Sequence, residues 1–64
     1  MENNGKAVKM LVDFIEIQKE SKQRGLLKDG EAVGRSEGYA HALADQGLID
    51  VMDGMKIIGM MLLK

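Results

Sequence analysis

Two glycines, Gly25 and Gly47, divide the chain into three stretches, and each stretch carries apolar residues that suit a helix. Glycine enters the left-handed backbone region at little cost, so a glycine just past a periodic run marks a helix end. No proline interrupts any stretch. Ala, Leu, Met, Lys and Glu, all good helix formers, are abundant throughout. The expected fold is therefore all-α, with helices over about 5–24, 30–46 and 51–63 in one small domain, 1–64.

The first stretch, GKAVKMLVDFIEIQKESKQRG, has the widest apolar face. Ala7, Val8, Met10, Leu11, Val12, Phe14, Ile15 and Ile17 cover an arc of about 220° at 100° per residue. A surface helix needs a stripe of only about 100°, so this helix is expected to meet neighbours on two sides. Asn3 or Asn4 can cap its start, and Glu20 and Arg24 form a favourably ordered i,i+4 pair. GLLKDG then connects, and Asp29 is the expected N-cap of the second helix, although that helix could begin as late as Ser36. Ala32, Val33, Tyr39, Ala40, Leu43 and Ala44 share one face of it, about 140° wide.

The last stretch, ADQGLIDVMDGMKIIGMMLLK, starts with Leu48 and Ile49 packing back after the Gly47 stop. Asp50 can cap a third helix, with Asp53 favourably placed in its first turn. Asp53, Lys56 and Lys64 occupy only about 80° of that helix, Met60 falls among them, and the rest is apolar apart from two glycines. Asp53-Gly54 between apolar residues is also a hairpin signal, with IDVM and MKIIG as strands. The wealth of methionine and leucine and the lack of alternation in MMLL favour the helix.

A chain of this length buries only about 60% of its unfolded surface, and such chains usually gain stability from disulfides, a metal or oligomerisation. There is no cysteine and a single histidine, His41, while 45% of the residues are hydrophobic. Oligomerisation or a partner protein is what remains, and an obligate homodimeric helical bundle is expected. Its shared core would come from the first and third helices, through Leu11, Phe14, Ile15, Met55, Ile58 and Leu62.

Several functional classes find no support. Nine basic and ten acidic residues give a net charge of −1, whereas nucleic-acid binding draws on clustered cations. One Phe and one Tyr make no base-stacking platform. Ser21 and Ser36 are the only serines beside one histidine, and no nucleophile–base–orienter set is apparent. No enzyme activity, cofactor or metal is expected. The opening MENNGKAVK has no apolar signal core, so secretion is not expected and a cytoplasmic location is. Residues 51–63 would span about 20 Å as a helix, short of a hydrocarbon core of about 30 Å. Lying in a membrane interface stays open as a lesser reading, as a peripheral peptide with few flanking cations.

Gly30, Gly34, Gly38 and Ala42 recur every fourth residue. GEAVGRSEG lacks the spacing and the lysine of a phosphate loop. On a helix these small residues would form a shallow strip beside the main apolar face, open to close approach by another backbone. An irregular loop and a late helix start are the other reading. As a second contact surface the strip offers Gly34, Arg35, Gly38 and His41 to a partner protein. Glu37, His41 and Asp45 share a face, and mild i,i+4 pairing in solvent accounts for them better than metal binding from a single helix.

AHALADQGLID has the small residue, glycine and turn of a helix-turn-helix. The helix that follows offers Val51, Met52, Asp53, Gly54, Met55 and Lys56, largely apolar or acidic where a DNA reader needs polar and basic groups. A DNA-binding regulator with a degenerate motif, using Lys19, Lys22, Arg24, Lys28 and Arg35, is thus the main alternative to protein binding.

GYAHALADQGLIDVMDGMKI, residues 38–57, resembles a pattern in small, mostly uncharacterised phage and prophage proteins of Gram-positive bacteria. In them a GY-x-x-AL helix is followed by GLI, a capping residue and an acidic residue three positions later. The resemblance implies a small helical accessory protein that acts by binding a protein, and it carries over no functional residue. The function expected from all of this is a non-catalytic, regulatory or interaction module that binds itself and another protein.

Overall fold

The computed structural model describes residues 4–63, with the backbone alone for Asp29. Three helices follow one another: α1 (Gly5–Gln23), α2 (Asp29–Asp45) and α3 (Val51–Leu62). Among the described residues there is no strand, so Asp53-Gly54 lies inside a helix rather than at a hairpin turn.

Local chemistry sets most boundaries. Asn4 caps α1, its Oδ1 accepting from the backbone N–H of Lys6 at 2.9 Å and of Ala7 at 3.2 Å. Asn3, the other candidate cap, lies outside the described residues, as does Lys64. Asp50 caps α3 by accepting from the Met52 N–H at 2.8 Å, and Asp53 sits in the first turn of that helix. At α2 the cap is one residue earlier than expected: Lys28 is the N-cap and Asp29 is already helical. The reason lies downstream, where Glu31 turns back and its Oε1 accepts the Lys28 N–H at 3.1 Å. The strip from Gly30 to Ala42 is therefore wholly helical, and no late start occurs at Ser36.

Both glycine stops close in the same way. Gly25 and Gly47 take φ values of 78° and 75°. At α1 the Leu26 N–H donates to Ser21 O at 2.9 Å and the Gly25 N–H to Lys22 O at 3.0 Å. At α2 the Leu48 N–H donates to Leu43 O at 3.0 Å and the Gly47 N–H to Ala44 O at 2.9 Å. Each pair is a Schellman closure, which satisfies helix-end carbonyls that would otherwise be orphaned.

The helices run up, down, up. The Asn4 N–H donates to Leu48 O at 2.8 Å at one end, and Lys19 and Lys22 border Met61 and Leu62 toward the other. So α1 and α3 are parallel, with α2 antiparallel to both. As the breadth of its apolar arc implies, α1 packs on both other helices. The core contains Ala7, Leu11 and Ile15 from α1, Ala32, Ala40 and Leu43 from α2, Ile49 from the connection, and Ile58 and Leu62 from α3.

Two close fits hold the helices together. Gly54 is buried against α2, and a Cβ added there would stand 3.1 Å from Ala40 Cβ and 3.2 Å from Ile49 Cδ1. Phe14 of α1 stacks on Tyr39 of α2, ring centroids 4.3 Å apart and planes 2° from parallel. On the surface, the Lys9 ammonium donates to Asp13 Oδ2 at 2.9 Å. That hydrogen bond and the Asp13 charge raise the Lys9 pKa above its ordinary value. Both side chains are exposed, so the pair adds little to stability.

Candidate interaction surface

The outer face of α3 is apolar. Met52 is 65% exposed, Met60 61% and Leu63, the C-cap, 66%, and the other exposed residue along this face is Lys56. Large apolar side chains scattered singly over a surface are ordinary, but three along one short helix form a patch. The signal was in the sequence, because Met60 falls among the few polar residues of this helix.

The six residues expected to build a dimer core lie elsewhere. Leu11, Ile15, Ile58 and Leu62 are buried in the core of the single chain. Phe14 is half-buried in its stack on Tyr39, and Met55 is half-buried against the core. The physical reason is closure of the three helices on themselves: the broad arc of α1 is shared by α2 and α3 of the same chain. None of the four buried residues is open to a second copy in this fold.

The α2 strip is on the surface. Gly34, Arg35, Gly38 and His41 are all exposed, and nothing lies within 4 Å of where a Cβ would stand on Gly30, Gly34 or Gly38. The small residues that do meet a neighbouring helix closely are on the opposite side of α2: Ala32, Ser36 and Ala40, all fully buried. Ser36 was not expected in the core, and neither was Gln18, which is also buried. Ser36 Oγ makes no hydrogen bond. An i,i+4 row through Ala32 and Ala40 was the available signal for its position.

Part of each exposed feature lies on one side of the bundle. Tyr39 marks the flank of α2 that faces α1, so the flank with Val33, Glu37 and His41 faces α3. Met61 marks the flank of α3 beside Lys19 and Lys22 of α1, so the flank with Met55, Gly59 and Met52 faces α2. The contact of Ala40 with Gly54 sets the level of one helix against the other. Glu37 is three residues up α2 from Ala40, about 4.5 Å, and Lys56 is two residues up α3 from Gly54, about 3 Å. Glu37 and Lys56 thus stand nearly level, with His41 and Met52 below them.

Other candidate sites are modest. A cleft of about 170 Å³ is lined by Lys19, Lys22, Gln23, Met61 and Leu62, and one of about 120 Å³ by Asn4, Lys6, Ala7, Met10 and Leu48. Both are smaller than the roughly 300 Å³ at which small-molecule pockets begin. Among the described residues, no three His, Asp or Glu side chains gather to hold a metal ion. Of the cations considered for DNA, Arg24 is bound to Glu20 at 2.8 Å, while Lys19, Lys28 and Arg35 are exposed. The helix that would enter a major groove shows Met52, Lys56 and Met60 to solvent. No helix among the described residues is long and apolar enough to cross a membrane.

Compared with protein-family models, with curated proteins and with solved structures, the chain matches none.

Proposed function

We propose that this protein is a non-catalytic interaction module of the cytoplasm that associates with itself and, as a homodimer, binds and regulates another protein. The observation that carries this reading is the outer face of α3, where Met52, Met60 and Leu63 lie open to water, three on one short helix against Met10 and Ile17 on the longer α1. Such a patch costs solubility in a free monomer, and methionine suits surfaces that adapt to a partner. The exposed strip at Gly34, Arg35, Gly38 and His41 supplies room for a second contact. The absence of cysteine suits a reducing compartment. The resemblance of residues 38–57 to phage-type accessory proteins supports the same class of function.

Light scattering across micromolar concentrations tests the self-association. The expected mass is twice the 7.0 kDa of the chain. A compact monomer at every concentration would overturn it.

A further inference from the structure

We infer that the side of the bundle formed by α2 and α3 is the surface on which a second copy of this chain docks, α2 of each copy lying on α3 of the other. The inference rests on the self-association proposed above and names its surface.

Three observations support that occupant. The first is charge. Among the described residues neither Glu37 nor Lys56 makes a salt bridge within the chain, both are exposed, and they stand nearly level on neighbouring helices. A two-fold axis parallel to the helices preserves level and exchanges α2 with α3. Glu37 of each copy then meets Lys56 of the other, so one arrangement forms two ion pairs. The antiparallel pairing centred at this level would instead set Lys56 against Lys56, and like charges across an interface disfavour it.

The second observation is shape. Gly30 and Gly34 leave open space on α2 where any side chain would project, while Met52 and Leu63 project from the same side of α3. Under the same axis, the large side chains of one copy fall along the small residues of the other. Packing large residues into gaps left by small ones is how helices approach closely. The third is area. A long side of the molecule measures 36 by 19 Å, of the same order as the ~800 Å² that each partner gives to a standard interface.

A charge-swap experiment tests the arrangement, with mass read by sedimentation equilibrium and folding checked by circular dichroism. Lys56→Glu and Glu37→Lys each set two like-charge pairs across the interface and weaken self-association about tenfold. Mixing the two variants in equal amounts restores it as a heterodimer, because each copy then meets its opposite charge. A dimeric wild type whose single variants associate unchanged, or whose mixture fails to recover, overturns this surface and leaves self-association standing. A wild type that stays monomeric overturns both, and so does one that is monomeric yet co-sediments with anionic vesicles, which would give the face to a membrane.

Discussion

Ala40 Cβ lies 3.1 Å from the point where Gly54 would carry a Cβ of its own, so α3 packs tightly against α2 at Gly54. Glycine inside a helix costs about 1 kcal/mol relative to alanine. At Gly54 the cost secures close packing. At Gly38, with nothing within 4 Å, it secures no packing within the chain. Gly38→Ala should therefore stabilise the fold by about 0.5–1 kcal/mol in urea denaturation. Gly54→Ala should gain nothing, because Ala40 is fixed in its helix and only the Ile49 methyl can give way. Gly54→Leu should cost about 2 kcal/mol or more through overpacking.

The stack of Phe14 on Tyr39 joins α1 to α2 at a half-buried site. Aromatic pairs contribute about 0.5–1.5 kcal/mol beyond the area they bury. Phe14→Leu and Tyr39→Leu should each destabilise, and the double variant should lose less than the sum of the two. A coupling energy of about 1 kcal/mol in this cycle is the expected result.

Ser36 is fully buried and its hydroxyl has no hydrogen-bond partner. An unpaired buried hydroxyl loses its hydration without compensation, at about 1–3 kcal/mol. Ser36→Ala removes that loss and improves helix propensity, leaving only a small void. It should raise the urea midpoint by an amount equivalent to about 1 kcal/mol, with an unchanged slope.

The helices were legible because their signals are local. Asn4, Asp50, Gly25 and Gly47 act on backbone groups within a few residues, and each acts where the sequence placed it. The start of α2 shifted by one residue because Glu31, three positions on, chose Lys28 as the cap. The core was less legible. Apolar periodicity shows that Leu11, Ile15, Ile58 and Leu62 are buried, but not whether the covering helix comes from the same chain. The small-residue pattern was ambiguous for a similar reason. Two i,i+4 rows run along α2, and the one through Ala32, Ser36 and Ala40 meets the neighbouring helix, whereas the glycine row faces solvent. Only the register of Ala40 against Gly54, a tertiary fact, separates them.

The most direct test of the central claim, that the outer face of α3 is covered when the protein associates, is a methyl spectrum of its methionines at increasing concentration. Met52 lies on the proposed interface, while Met10, also exposed, lies on α1 away from it. The account predicts that the Met52 methyl signal shifts with concentration while Met10 stays fixed. An unchanged Met52 signal, or a shift confined to Met10, would contradict it.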